Sequence, residues 1–76
     1  MSERVALVTG STSGIGAAVA RRLARDGYAV ALHGRRPEEA VASMIAELPG
    51  ASYHRVDLGD PAEAGRLVRA VIARHG

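Results

Sequence analysis

Cysteine, lysine and asparagine are absent from this chain of 76 residues, and no apolar run approaches the length of a membrane span. Without cysteine, neither a disulfide framework nor a thiolate metal site can form. The histidines, His33, His54 and His75, lack the spacing of metal ligands. A bilayer span needs about 20 apolar residues, and residues 1–4 lead directly into an apolar segment without the features of a signal peptide. We therefore expect a cytoplasmic chain that binds neither metal nor membrane.

All ten basic residues are arginine, and eight acidic residues leave a net charge of only +2. A nucleic-acid-binding surface would require these arginines to cluster on one face. They are instead scattered among acids along the chain, as on solvated helix surfaces. We therefore expect no nucleic-acid partner.

The hydrophobic content of 47% and the small number of prolines, three, are typical of a folded protein. A domain of this size buries only about 60% of the surface that its unfolded chain exposes. The sequence therefore predicts a single small domain over residues 1–76 with marginal stability, and we interpret that domain as incomplete.

The most informative segment is residues 9–16, Thr-Gly-Ser-Thr-Ser-Gly-Ile-Gly, which joins an apolar strand at residues 5–8 to a helix. Glycines at 10, 14 and 16 permit tight turns and allow the backbone to approach a ligand closely. The N–H groups and the positive dipole end of the following helix favour a bound pyrophosphate. The segment therefore predicts a phosphate-binding loop.

Two other glycine motifs are excluded or disfavoured. A Walker phosphate loop requires a second glycine at the sixth position and a lysine directly after it. Counted from Gly10, the sixth position is Ile15, and the chain has no lysine. A G-x-S-x-G nucleophile elbow would have Thr12 at the nucleophile position, without a clearly placed acid and histidine.

Strand and helix signals alternate three times along the chain. Apolar segments at residues 28–32 and 52–56 predict the second and third strands, Pro37 is expected to open the second helix, and Pro49-Gly50 ends it. Asp60 is the predicted N-cap of the third helix, with Glu63 completing a capping box. The β-α-β-α-β-α order indicates an α/β fold with three parallel strands in the spatial order 3-2-1.

The spacing G-x-x-x-G-x-G after Thr9 resembles the cofactor motif of the short-chain dehydrogenase/reductase family. The resemblance implies the amino-terminal half of a Rossmann fold, in which three segments meet the dinucleotide. The first holds the pyrophosphate, the second meets the adenosine ribose and the third borders the adenine. The implied cofactor-binding residues are Gly10, Ser11, Thr12, Ser13, Gly14, Ile15 and Gly16, then Gly34, Arg35 and Arg36, then Asp57 and Leu58.

The end of the second strand favours NADP over NAD. NAD-preferring members of the family commonly have an acid where this chain has Gly34, whereas Arg35 or Arg36 can meet the 2′-phosphate of NADP. Ser13 occupies a position at which some NADP-using members have a basic residue, so NAD remains the alternative. The alternative interpretation of Arg35 and Arg36 is that they are solvated loop charges, and that of Asp57 is that it is a turn residue. His33 is interpreted as a packing or surface residue.

The catalytic Tyr-x-x-x-Lys pair of the family is absent, because Tyr28 is followed four positions later by Leu32 and Tyr53 by Asp57. The Asn-Asn-Ala-Gly segment that the family has after its fourth strand is also absent, because the chain contains no asparagine. We therefore expect no catalytic residue here. The resemblance implies a longer, homo-oligomeric parent that transfers hydride between NADP or NAD and a small-molecule carbonyl or alcohol. A 3-oxoacyl-carrier-protein reductase is one such parent, because residues 31–34 are similar to some of those enzymes. The alternative is a truncated nucleotide-binding fragment without activity.

Overall fold

A computed structural model describes residues 4–76, so the expectation about a signal peptide, drawn from residues 1–4, lies outside the described residues except at Arg4. Three parallel strands form one sheet in the order β1-β2-β3: β1 (Val5–Val8), β2 (Ala29–Gly34) and β3 (Ser52–Arg55). The helices that alternate with them are α1 (Gly14–Arg25), α2 (Ala42–Glu47) and α3 (Pro61–His75). The predicted α/β class, strand order and connectivity are confirmed.

The central strand β2 is buried along its whole length. It pairs with β1 through Leu7 opposite Ala31 and with β3 through Ala31 opposite Ser52. Its run of apolar residues suits a strand that is covered on both faces. On one face, Val30 and Leu32 pack with buried side chains of the helices α1 and α2, namely Ala17, Ala20, Met44 and the adjoining Leu48.

The second helical segment differs from the prediction. Pro37 has an extended conformation, with ψ of 151°, and a 3₁₀ turn (Glu38–Val41) precedes α2. The N–H of Ala40 donates to the carbonyl of Pro37 at 3.0 Å, which is the i to i+3 bond of such a turn. The turn buries Val41, so the regular helix begins later than Pro37 suggested.

The start of α3 confirms Asp60 as N-cap, because its carboxylate accepts a hydrogen bond from the Ala62 N–H at 3.0 Å. The predicted capping box is wrong in its second half. Glu63 Oε2 lies 2.9 Å from Arg66 Nη1, and the Asp60 N–H donates to the Asp57 carbonyl at 3.4 Å. Across residues 4–76, no helix has the length and apolar character needed to cross a membrane.

Candidate functional site

A cavity of about 600 Å³ lies at the carboxyl ends of the three strands. In open parallel sheets this edge is the usual place for a ligand. Eight of the twelve residues predicted to bind the cofactor line this cavity: Gly10, Thr12, Ser13, Gly34, Arg35, Arg36, Asp57 and Leu58. Sequence reasoning missed two lining residues, His33 and Gly59. The fold therefore brings the three predicted segments together.

The other four predicted residues, Ser11, Gly14, Ile15 and Gly16, are not among the lining residues. Ser11 is fully buried beneath the loop, whereas Ile15 is 85% exposed in the first turn of α1. With Gly14 and Gly16, Ile15 can contribute backbone N–H groups to a ligand, but its side chain does not contribute to the cavity wall.

The geometry of the loop requires its glycines. Gly10 and Gly14 have φ of 61° and 57°, in the left-handed region that side chains disfavour. A Cβ atom at Gly16 would overlap the carbonyl oxygen of Gly10 and come within 2.9 Å of its carbonyl carbon. The absence of a side chain at Gly16 therefore lets α1 begin directly against the turn that leaves β1.

The start of α1 supplies hydrogen-bond donors to this region. The first bond of the helix runs from the Ala17 N–H to the Ser13 carbonyl at 3.3 Å, and a helix leaves the N–H groups that precede this bond without partners in the helix. Among the described residues 4–76, the Ser13 side chain makes no capping bond to them. The first turn, residues 14–17, also contains no acid. The positive end of the helix dipole is therefore open to an anion.

Ser11 fastens the glycine loop to β2. Its N–H donates to the His33 carbonyl at 2.9 Å, and its hydroxyl oxygen accepts from the His33 N–H at 2.8 Å. Both groups of Ser11 are buried and used within the protein. Ser11 thus shapes the loop from beneath, and its hydroxyl does not face the cavity.

His33 contacts two more segments through its ring. Nδ1 lies 3.0 Å from the Gly10 nitrogen, and Nε2 lies 2.8 Å from the Val56 carbonyl oxygen. The residue is only 5% exposed. The interpretation of His33 as a packing residue is therefore incomplete, because its ring also connects the glycine loop with the segment after β3. The only local signal was a polar residue at the end of an apolar strand.

The Arg35-Arg36 segment is held by β3 through its carbonyl groups. The Tyr53 hydroxyl donates to the Arg36 carbonyl at 2.6 Å, and Arg55 Nε donates to the Arg35 carbonyl at 3.0 Å. Tyr53 and Arg55 are two positions apart, so they share one face of the strand. Partial burial raises the pKa of Tyr53, which keeps its hydroxyl a donor. The backbone is thus held while Arg35 and Arg36 stay exposed beside the cavity.

Asp57 has the turn role that the sequence left open, and it also lies at the wall of the cavity. Its Oδ1 accepts a hydrogen bond from the Gly59 N–H at 2.9 Å, which forms a local turn between β3 and α3. The residue is nonetheless exposed and lines the cavity together with Leu58, which is 37% exposed. One carboxylate oxygen therefore stabilises the turn while the residue remains at the cavity wall.

Comparison with known proteins assigns this arrangement to a family. The family model for short chain dehydrogenases matches residues 4–76. A Streptomyces violaceoruber protein, named provisionally as ketoacyl reductase 2 of the granaticin polyketide synthase, is 47% identical over 72 residues, which are 95% of this chain. The chain spans 29% of the length of that relative.

Two solved structures with bound dinucleotides have the same fold over this region. The NADH-dependent reductase A1-R′ complexed with NAD is 35% identical, with a TM-score of 0.87 over 97% of this chain and 32% of that one. The alcohol dehydrogenase of the archaeon Thermococcus sibiricus complexed with 5-hydroxy-NADP is also 35% identical, with a TM-score of 0.87 over 97% of this chain and 33% of that one. The described chain thus belongs to the short-chain dehydrogenase/reductase family, of whose matched members it spans about a third.

Proposed function

We propose that this chain forms the pyrophosphate- and adenosine-binding part of an NADP(H)-dependent oxidoreductase. The observation that carries the proposal is the cavity at the strand ends, which is lined both by loop residues that lead into α1 and by two exposed arginines. A dinucleotide presents anions at two corresponding places, its pyrophosphate and, in NADP, its 2′-phosphate. The described residues therefore offer a separate cationic or N–H-rich group to each.

Each segment has a role in this proposal. The N–H groups of residues 12–16 bind the pyrophosphate, Arg35 and Arg36 bind the 2′-phosphate, and Asp57 with Leu58 borders the adenine. Ser11 contributes indirectly, by holding the loop against β2 through the hydrogen bonds of its N–H and hydroxyl groups. Together, these residues would bind the adenosine half of the cofactor.

The preference for NADP over NAD rests on the end of β2. Gly34 places no carboxylate in the cavity, so nothing at this position repels a 2′-phosphate or binds both ribose hydroxyls. The two following residues are cationic and exposed. Arginine binds phosphate through several N–H groups at once, which favours the phosphorylated cofactor. The matched structures contain NAD in one case and 5-hydroxy-NADP in the other, so the proposed preference is supported by the arginine segment alone.

The chemistry of the parent enzyme would be hydride transfer between C4 of the nicotinamide and a carbonyl or alcohol carbon. A 3-oxoacyl substrate on a carrier protein is the proposed class, supported by the name of the granaticin relative. The family's catalytic tyrosine acts with a lysine four positions later, and this sequence of 76 residues contains no lysine. We therefore assign cofactor binding, and not turnover, to the described residues.

Titration with two fragments of the cofactor tests the proposal. 2′,5′-ADP and 5′-AMP differ by the 2′-phosphate, and their binding is measured by nuclear magnetic resonance or calorimetry. We expect 2′,5′-ADP to bind at least about tenfold more tightly, since a hydrogen bond to a charged group contributes about 1.5–3 kcal/mol. Equal affinities would contradict the NADP assignment alone. Failure of both ligands and of NADPH to bind would contradict the nucleotide site.

A turnover assay tests the other half of the assignment. The chain is mixed with NADPH and a 3-oxoacyl thioester, and the loss of NADPH absorbance is followed. We expect no oxidation above the rate in buffer, because the tyrosine–lysine pair is not in the sequence. Sustained turnover by the purified chain would show that residues of this chain perform the chemistry.

A further inference from the structure

We infer that His33 is a positioning residue that holds the two ends of the nucleotide cavity in register through a single imidazole ring. The inference rests on the proposed function, because it concerns the same cavity. It assigns a role to a residue whose ring bonds to Gly10 and Val56, outside residues 12–16 and the two arginines. The ring acts on the ligand site through two backbone groups.

The contacts of the ring define its protonation state. The Gly10 N–H can only donate, so Nδ1, 3.0 Å away, must accept and carry no proton. The Val56 carbonyl can only accept, so Nε2, 2.8 Å away, must carry the proton. The structure thus assigns the neutral, Nε2-protonated tautomer to His33.

These two contacts join segments that do not pair with each other. Gly10 follows β1 and Val56 follows β3, and the two strands lie on opposite sides of β2. His33 lies on β2 between them, 23 residues from each contact. Gly10 is the first glycine of the phosphate loop, and Val56 immediately precedes Asp57. The imidazole therefore spans the sheet from the pyrophosphate end to the adenine end of the cavity.

The backbone of the same residue strengthens one side of this link. The N–H and carbonyl of His33 both bond to Ser11, so backbone and ring together make three contacts with consecutive loop residues. A substitution of His33 leaves the two backbone contacts available and removes the ring contacts. The effect of the ring can therefore be measured with the strand still able to hold Ser11.

Three substitutions separate the two ring contacts. His33→Ala removes both. His33→Asn places an amide oxygen where Nδ1 stood, so it keeps an acceptor for Gly10 and loses the donor to Val56. His33→Gln reaches towards the Nε2 position and keeps a donor for Val56. The control is His54→Gln, because His54 Nε2 bonds to Ser52 on β3 and is not among the residues that line the cavity.

The first experiment records the imidazole nitrogen resonances of the free chain at neutral pH. We expect the His33 signals of a neutral ring with a protonated Nε2 and an unprotonated Nδ1. A ring protonated at Nδ1, alone or together with Nε2, would overturn the inference, because Gly10 would then have no acceptor. This measurement needs no ligand and is independent of the proposed function.

The second experiment measures 2′,5′-ADP affinity in all variants. We expect His33→Ala to weaken binding about tenfold, as the loss of hydrogen bonds of ordinary net strength would allow. His33→Asn and His33→Gln should each recover part of that loss, and His54→Gln should bind like the wild-type chain even if it unfolds more easily. If His33→Ala does not fold, the Asn and Gln variants alone decide the result.

Three outcomes separate this inference from the proposed function. If the wild-type chain binds 2′,5′-ADP and every folded His33 variant binds it equally well, the positioning role is overturned and the proposed function stands. No binding by the wild-type chain overturns both. An equal loss in His54→Gln would mean that affinity follows stability alone, and would also overturn the positioning role.

Discussion

A Cβ atom placed on Gly34 would lie 2.8 Å from the hydroxyl oxygen of Thr12, and 3.1 Å from the hydroxyl of Tyr53. Thr12 belongs to the phosphate loop, and Tyr53 holds the carbonyl of Arg36. A single glycine at the end of β2 thus allows the loop and the arginine segment to approach each other. Any side chain at this position must displace one of them.

Replacement of Gly34 by alanine should therefore destabilise the chain by about 1–3 kcal/mol, the usual cost of overpacking. The matched control is Gly65→Ala, whose Cβ would meet only Arg69 Nη1 at 3.5 Å, an ordinary contact. Gly65 lies inside α3, so alanine there should stabilise by up to about 1 kcal/mol. Urea unfolding of both variants measures these changes. A neutral Gly34→Ala would show that Thr12 adjusts without cost.

The two arginines at the end of β2 should determine selectivity for the 2′-phosphate. We expect the double variant Arg35→Ala/Arg36→Ala to lose most of the difference between 2′,5′-ADP and 5′-AMP, about tenfold or more. Affinity for 5′-AMP should change little. Arg69→Ala/Arg74→Ala, which removes two exposed arginines from α3, serves as the control for net charge. An equal effect of this double control would indicate non-specific attraction.

Tyr53 should support that selectivity without touching the ligand. Tyr53→Phe removes the hydrogen bond to the Arg36 carbonyl and leaves the ring in place. We expect the preference for 2′,5′-ADP to fall about threefold to tenfold, as the loss of one hydrogen bond allows. Tyr28→Phe is the control, because Tyr28 packs against the core at the start of β2. If both variants bind alike, the Arg36 backbone does not depend on Tyr53.

How much of this site was predictable depends on the range of the interactions. Residues 9–16 identified the loop because glycine spacing and the strand-to-helix change are local signals, and Asp60 was recognised as an N-cap for the same reason. The roles of Tyr53 and Arg55 were missed because each side chain binds a backbone carbonyl far away in the chain, 17 positions away for Tyr53 and 20 for Arg55. The periodicity of apolar residues does not indicate a hydrogen bond between a side chain and a distant backbone carbonyl.

Two residues of local motifs also make contacts that the motifs do not show. Ser11 was predicted to bind the cofactor because it lies within the motif, and its long-range bonds to His33 place its side chain beneath the loop. Glu63 had the right spacing for a capping box, yet its carboxylate lies beside Arg66 one turn later. Local patterns indicated the motif to which each residue belongs, whereas tertiary contacts determined where its side chain points.

Stability should decrease in mild acid because of His54, a partly buried histidine on β3. His54 Nε2 and His75 Nε2 lie 2.8 and 2.7 Å from the hydroxyl of Ser52. Burial lowers the pKa of His54 below its usual 6.5, and repulsion from the neighbouring His75 and Arg74 adds to this effect. The unfolded chain therefore binds a proton at His54 more readily than the folded chain.

The sign of the pH dependence follows from that difference. The contribution of His54 is fully present above pH 6.5, the unfolded value, and is lost as the pH falls through the lower value of the folded chain. We expect the free energy of unfolding, measured in urea between about pH 5 and 8, to decline on the acid side. His54→Gln should flatten this decline. A profile that is unchanged in His54→Gln would show that other groups control the acid sensitivity.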